Sequence, residues 1–315
     1  MNLRLSILVP VYNAAKWLPA FIHSMSRHEY VDKELLFLDD CSTDNSIKVL
    51  KREIAKNGLS SVVRILLHNE NKGVSEARQT LLEAAKGEYI IFADPDDEVD
   101  SGMYDDLLKK AYSAEADFVW EDFFEGSSER RIQKLDGDAS MLIRAILRGD
   151  IHGATWNKLI RRQFILDCGA RFLSGRINIC EDMDFICQIL SANPKIAYND
   201  ACHYFYRTVY NSATHGLSEA SFRSLKNVED HLSVLLPKSQ FDRELHCWRR
   251  GNRLAAFLSK NVSDEFFYAY LEDVRDLSGL STNFIIKFLF KIATWGKRPF
   301  ALSFCQLFQK IRNYL

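Results

Sequence analysis

The chain has 315 residues, 47% hydrophobic and 26% charged, with a net charge of −1. That apolar content supplies a core for one large domain and an appended subdomain, and the near-neutral balance excludes the basic field of a nucleic-acid binder. Seven cysteines, an odd number with no C-x-x-C pair, argue against a zinc ribbon or a disulfide framework and suit a reducing cytoplasm.

In chain order, residues 3–9 read as a buried strand. That apolar run is too short for a signal peptide and is closed by Pro10. Residues 14–27 carry Trp17, Leu18, Phe21, Ile22 and Met25 at helical spacing. Residues 33–38 form a second strand, followed by a loop, 39–44, rich in helix-capping residues. A helix over 44–56 runs through Ile47, Leu50 and Ile54. A third strand spans 62–67, and a helix over 74–86 ends at Gly87. A fourth strand, 88–93, runs into Asp94-Pro95-Asp96-Asp97, where Pro95 stops the ladder. A helix over 102–114 and a strand over 117–120 follow. Strands alternating with helices of this length imply βαβ units and a mostly parallel sheet. After Glu125 the rhythm changes. Residues 139–207 read as mixed α and β structure completing a pocket, and the pattern beyond Ser218 is helical. No uninterrupted apolar stretch is long enough to span a bilayer.

In an open parallel sheet, ligands bind outside the carboxyl ends of the strands. The loops found there are Pro10-Val11-Tyr12-Asn13, Asp39-Asp40, Asn71-Lys72-Gly73 and Asp94-Pro95-Asp96-Asp97. All carry polar or special residues, and two carry paired carboxylates. Asp94, Asp96 and Asp97 repel one another unless a cation neutralises them. Hard oxygen ligands favour Mg²⁺ or Mn²⁺, held by one or two carboxylates plus substrate phosphates. An acidic solvated turn capping the next helix is the competing explanation. A carboxylate at 39 or 40 suits a base N–H or a ribose hydroxyl, and a helix-capping loop explains it equally. Tyr12 suits base stacking or plain packing in a rigid turn. Arg78 and Lys72, near a helix start, suit a diphosphate or an ordinary surface.

Four segments together resemble family 2 glycosyltransferases: Ser6-Ile7-Leu8-Val9-Pro10-Val11-Tyr12-Asn13; Glu34-Leu35-Leu36-Phe37-Leu38-Asp39-Asp40-Cys41-Ser42-Thr43-Asp44; Asn71-Lys72-Gly73-Val74-Ser75-Glu76-Ala77-Arg78; and Gly87-Glu88-Tyr89-Ile90-Ile91-Phe92-Ala93-Asp94-Pro95-Asp96-Asp97. The resemblance implies an α/β GT-A fold, with a mostly parallel nucleotide-binding sheet flanked by helices and a helical C-terminal subdomain. It places a catalytic domain at 1–215, with nucleotide-sugar binding in 1–120 and the acceptor side and catalytic base in 121–215, and the helical region at 216–315. Pro10, Val11, Tyr12, Asn13, Asp40, Asn71, Lys72, Arg78, Asp94, Pro95 and Asp96 are then expected on the nucleotide-sugar, with Asp40 on the base. Asp96 is the better ligand of Mn²⁺ or Mg²⁺, and Asp94 lies nearer the ribose. The family usually has Gly where this chain has Cys41.

Trp156-Asn157-Lys158-Leu159, Glu181-Asp182 and the stretch from Tyr206-Arg207 to Ser212 and Thr214 are similar to segments of the bacterial capsule, exopolysaccharide and lipopolysaccharide enzymes of this family. The match assigns the catalytic base to Asp182, with Glu181 as the fallback, while a helix N-terminal cap is the plain alternative. Trp156 and Lys158 fall on the acceptor side, although Trp156 suits a core position as well. His215, and after it His203, are weaker candidates for the metal or diphosphate. The implied reaction inverts the sugar's anomeric centre in one displacement, moving a sugar from a nucleotide-diphosphate donor, a UDP-sugar first, to a glycan or lipid-linked acceptor.

Beyond Asp276 there is no acidic side chain, and Lys287, Lys291, Lys297, Arg298, Lys310 and Arg312 are interspersed with phenylalanines and aliphatic residues. That suits peripheral contact with the cytoplasmic face of an inner membrane, or packing on protein. The pattern leaves oligomeric state open. A dinucleotide oxidoreductase is disfavoured because Pro10 stands where its glycine-rich turn would lie. A nucleotidyltransferase would need a Gly-rich basic loop after the first strand. A non-catalytic sugar-nucleotide binder is disfavoured by the presence of Asp40, Asp94, Asp96 and Asp182.

Overall fold

A computed structural model of the chain describes residues 3–29, 32–126, 129–175, 177–207, 217–272 and 274–305. It divides into two compact units, Met1–Val209 and Tyr210–Leu315. The boundary expected at 215/216, along with His215, Ser212 and Thr214, lies outside the described residues.

The first unit runs β1 (Leu5–Val11), α1 (Leu18–Met25), β2 (Lys33–Asp39), α2 (Ser46–Lys56), β3 (Val63–Leu67), α3 (Val74–Ala84), β4 (Tyr89–Phe92), β5 (Glu98–Val99) and α4 (Met103–Ala114). It continues with β6 (Phe118–Glu125), β7 (Glu129–Arg131), α5 (Ala139–Arg148), β8 (Lys158–Arg161), α6 (Arg162–Cys168), α7 (Glu181–Ser191) and β9 (Ile196–Tyr206). The strands form one sheet in the order β3-β2-β1-β4-β8-β6-β9-β5, with β7 paired to β6. The half from β3 to β4 is parallel throughout, as expected. Beyond β4 the sheet is mixed: β8 runs antiparallel to both β4 and β6, while β9 is parallel to β6. β1, β2 and β4 are buried along their whole lengths, the pattern of parallel strands covered on both faces.

β1 continues through Pro10 to Val11, two residues past its expected end. Leu8 faces β4, its carbonyl accepting from the Ala93 amide, so by alternation Pro10 faces β4 as well. The β1–β4 register ends at Leu8 opposite Phe92. Pro10 therefore lacks an N–H only where no partner strand remains, and its pairing with β2 is undisturbed. Gly87 is required by close approach: a Cβ there would stand 2.4 Å from the Ser6 amide nitrogen. That contact lets the chain turn from α3 into β4 against the start of β1.

The second unit is helical among its described residues: α8 (Glu219–Leu235), α9 (Lys238–Leu258), α10 (Asp264–Leu271) and α11 (Phe284–Ile292). Its interior pairs Arg253, fully buried, with Glu229 at 2.6 and 3.1 Å. The Arg253 guanidinium lies over the Tyr270 ring, and Phe222, Phe257, Phe267 and Phe290 are buried in the same unit. No helix among the described residues is long and apolar enough to cross a membrane.

Candidate active site

The carboxyl ends of β1, β2 and β3 bring the first three loops together. The β1 and β2 loops are tied by Asn13. Its Oδ1 accepts from the Thr43 amide at 2.8 Å, and its own amide donates to Ser42 Oγ at 3.0 Å. Asn13 and Cys41 both adopt positive φ, +50° and +57°. Cys41 thus sits in the left-handed region that glycine enters without cost, which explains the family preference for Gly there. Tyr12, beside Asn13, is 50% exposed, open to a stacking partner.

Asp39 and Asp40 have different surroundings. The Asp40 carboxylate accepts from the Lys72 amide (2.9 Å) and the Gly73 amide (2.7 Å), and His68 Nδ1 lies 2.7 Å from it. Asn71 Nδ2 donates to the Asp40 carbonyl at 3.2 Å. Asp40 therefore organises the loop that starts α3. Both its oxygens already accept from this loop, Oδ1 from Lys72 and Oδ2 from Gly73, so a base contact would have to share them. Asp39 Oδ2 accepts from the Ser42 amide at 3.1 Å, while its Oδ1 is buried with no protein donor among the described residues. A buried carboxylate oxygen without a donor is costly, and it marks Asp39 as the carboxylate with bonding capacity to spare. Lys72 stays exposed.

The acidic turn after β4 meets α3 and α7 at one guanidinium. Arg78 is 4% exposed. Its Nη2 lies 3.0 Å from Asp94 Oδ1, and its Nη1 lies 2.9 Å from Asp182 Oδ1 and also donates to Glu181 Oε1. Burial alone would weaken the Arg78 charge; Asp182, Asp94 and Glu181 reverse this and hold its pKa above the usual arginine value. Both Nη groups already face carboxylates, so the diphosphate contact expected of Arg78 would have to share them. Arg78 acts as the counter-ion of these carboxylates.

One cation does not satisfy the whole acidic set. Burial pushes Asp96 up to about 6, and Asp94 adds to the rise. Burial, then Asp94 and Asp96, push Asp97 well above the carboxylate range. Asp97 faces inward, accepting from Tyr204 Oη and the Arg207 amide, each at 2.7 Å. It ties the turn to β9 and is unavailable as a ligand. Among the described residues no group of three or more His, Cys, Asp or Glu side chains is set to hold a metal. Asp94 and Asp96 are a two-carboxylate oxygen set whose ionised forms Arg78 and Arg207 offset only in part. That suits Mg²⁺ or Mn²⁺ completed by substrate phosphates, not an all-protein cage.

Glu181 and Asp182 open α7, where the helix dipole favours negative charge. The preceding residue, Cys180, has φ +60°, which turns the chain sharply into the helix. Burial raises both carboxyl pKa values and Arg78 opposes the rise. Asp182 Oδ2 accepts from the Thr155 amide and hydroxyl, each at 3.3 Å. Its side chain is 16% exposed against 9% for Glu181, so Asp182 is the more open of the two. Thr155 carries no sequence signal, because a lone threonine before Trp156 forms no pattern.

Two acceptor-side expectations fail on burial. Trp156 is 2% exposed and stacked on Tyr204 and Tyr206, with ring centroids at 4.3 and 5.6 Å. It is a core residue with no open face for a sugar. Lys158 is fully buried, and burial lowers its amine to about 7. Its Nζ donates to the His152 and Ala154 carbonyls and to Asn157 Oδ1 at 2.7–2.8 Å, which uses all three donors. Both residues brace the strand pair behind Thr155. The ring nitrogens of His203 lie 3.2 Å from Glu121 and 3.4 Å from Asp106, so it too is engaged elsewhere. His215 lies outside the described residues.

Comparison with known proteins bears on the family and the fold. The chain is 30% identical over 221 residues to the uncharacterized glycosyltransferase EpsJ of Bacillus subtilis (strain 168), a match covering 66% of this chain and 62% of that protein's length. Its fold is similar to that of S. aureus TarS 1-349 in complex with UDP-GlcNAc, with a TM-score of 0.63 and 17% identity over 95% of this chain and 81% of that one. It is also similar to the mannosyltransferase PcManGT from Pyrobaculum calidifontis in complex with GDP-Man and Mn²⁺, with a TM-score of 0.57 and 15% identity over 95% and 87%. The fold is of the GT-A type. The family model of glycosyl transferase family 2 matches residues 6–169, from the first strand of the sheet to the end of α6, and the chain belongs to that family.

Proposed function

We propose that the chain transfers a sugar, with inversion, from a UDP-sugar to a hydroxyl of a glycan or lipid-linked acceptor in bacterial surface polysaccharide synthesis. The observation that carries this reading is the convergence of Asp94, Glu181 and Asp182 on the buried Arg78. It joins the turn that would face the donor's diphosphate to the carboxylates that would face the acceptor.

In this reading Asp182 is the general base. Burial keeps its proton affinity above that of a solvated aspartate, which suits proton uptake near neutral pH. Thr155 and Arg78 hold its carboxylate in place. As the acceptor oxygen bonds to C1 of the sugar, the hydroxyl proton passes to Asp182. The bond from C1 to the diphosphate oxygen breaks, and the nucleoside diphosphate leaves with that electron pair. Asp94 and Asp96 would hold Mn²⁺ or Mg²⁺, which when bound supplies positive charge to the leaving diphosphate. Asp39, through its unpartnered Oδ1, takes the base contact that the sequence pattern assigned to Asp40, and Tyr12 is placed to stack on the base.

A panel of UDP- and GDP-sugars with Mn²⁺, read by thermal shift and donor hydrolysis, tests the reading. A UDP-sugar is expected to raise the melting temperature, and Asp39→Ala to remove most of that rise. A panel in which no nucleotide sugar shifts or hydrolyses overturns it.

A further inference from the structure

We infer that the C-terminal unit presents a docking face for an anionic lipid surface, built on α11 and the helical residues 298–305 around Phe284, Phe288, Trp295 and Phe300. This concerns where the protein sits, and it holds whatever sugar is transferred.

The segment already has its own core. Leu289 and Phe290 of α11 are buried, and the Phe290 ring meets Phe257 and Phe267 edge-on, with centroids at 5.8 and 6.3 Å. After a break at Gly296, with φ +81°, the helix resumes with Ala301 and Cys305 buried. Arg298, 2% exposed, pins the junction. It donates to the Val262 carbonyl at 3.0 Å and the Ser259 carbonyl at 2.8 Å, and pairs with Asp264 at 2.7 Å. The inward face is therefore satisfied and the segment's orientation fixed.

The outward face is also aromatic. Phe284 is 80% exposed, Phe288 54%, Trp295 67%, Phe300 57% and Phe304 50%. Phe284 and Phe288 lie four residues apart on α11, Trp295 follows at the kink before Gly296, and the Phe300 and Phe304 rings have centroids 4.9 Å apart. Five aromatic side chains this exposed within 21 consecutive residues mark an interaction surface. The occupant follows from charge. Lys291 and Lys297 are exposed and Lys287 half-buried among these rings, and no acidic residue occurs after Asp276. Aromatic rings interleaved with lysine match the headgroup zone of an anionic bilayer, where rings enter the acyl boundary and ammonium groups meet phosphates. A second copy of the same face would set Lys287 and Lys297 against like charges, the last acidic side chain in sequence being Asp276, which already faces Lys291.

The test is co-sedimentation of the full chain with vesicles of phosphatidylcholine containing ~30% phosphatidylglycerol, against phosphatidylcholine alone, at low and high salt. Binding to the anionic vesicles alone, weakened by salt, is expected. The triple variant Lys287→Gln, Lys291→Gln, Lys297→Gln should bind roughly a hundredfold more weakly. Phe288→Ser with Trp295→Ser should lose at least tenfold while keeping the wild-type melting temperature, because both side chains are exposed. The inference is overturned by absence of binding to anionic vesicles, by equal binding to neutral ones, or by aromatic variants that bind like the wild type. Sedimentation velocity showing a dimer that the aromatic variant dissociates would assign the face to a second copy instead.

Discussion

Replacing Arg78 by Met leaves a side chain of similar length with no charge. Three carboxylates, Asp94, Glu181 and Asp182, then lose the one guanidinium they share. Breaking a buried ion pair by removing one partner costs about 3–5 kcal/mol. That cost is limited by protonation, because the stranded carboxyls take up protons instead of remaining ionised in a buried site. Burial already raises the pKa values of Glu181 and Asp182 in the wild type, with Arg78 opposing, so removing Arg78 raises them further. A carboxyl whose folded pKa exceeds its unfolded value holds an extra proton in the folded state between the two. Relative to wild type, the loss of stability therefore grows as pH rises through the window between the wild-type and the variant's folded pKa values. Each pH unit over which the variant holds one proton more than the wild type amounts to about 1.4 kcal/mol. Urea denaturation of Arg78→Met is expected to show a loss at pH 8 that exceeds the loss at pH 5 by about 1–3 kcal/mol. Adding Glu181→Gln should recover part of the loss at pH 8, because one stranded charge is gone. Equal losses at both pH values would refute the electrostatic account and leave Arg78 as a packing residue.

Asp182→Asn should lower turnover by roughly a hundredfold or more while donor affinity stays within about twofold; Glu181→Gln should weaken turnover less, and the reverse order would move the base to Glu181. Mn²⁺ affinity, measured by calorimetry in the presence of UDP, should fall about tenfold per pH unit below pH 6, because Asp96 binds a proton near pH 6 and must release it to bind metal; flat affinity from pH 7 to 5 would remove Asp96 from the ligand set. Cys41→Gly should stabilise the fold by about 0.5–1 kcal/mol, seen as a higher urea midpoint at unchanged slope, because it relieves a left-handed side-chain conformation at some cost in chain entropy; an unchanged or lower midpoint would show that the loop tolerates the thiol without strain.

The parallel half of the sheet was legible because its signals are local. β1, β2 and β4 are apolar runs buried on both faces, and each ends in a loop of capping or acidic residues whose positions follow from the strand ends. What was not legible depends on partners distant in sequence. Pro10 reads as a strand terminator until β4 is seen to end opposite Leu8. Asp39 and Asp40 are adjacent, so their side chains leave the strand end in different directions. Only the fold shows that the loop at residues 72–73 closes on Asp40 and leaves Asp39 Oδ1 without a donor. Lysine is ordinarily a surface residue, and nothing near Lys158 in the sequence announces the three acceptors that bury it.

Arg78 is the sharpest instance of this divide, and it bears on how the site works. In sequence it is a cation near a helix start, which points to a phosphate. In the fold its Nη groups face carboxylates from two other segments, so its charge is largely offset before a diphosphate arrives. Asp96, raised to about 6 by burial and by Asp94, marks where that charge is missing. A single guanidinium serving Asp94 and Asp182 together also couples the two ends of the site. A cation placed on Asp94 would draw that carboxylate away from Arg78 and leave more of the guanidinium to Asp182. That would lower the proton affinity of the base as the donor side fills, tying proton uptake from an acceptor to the presence of a donor. The coupling predicts that the acid limb of the turnover profile shifts to lower pH with Mn²⁺ and UDP-sugar saturating, and that Arg78→Met, which lacks the shared cation, loses the shift even where it retains turnover.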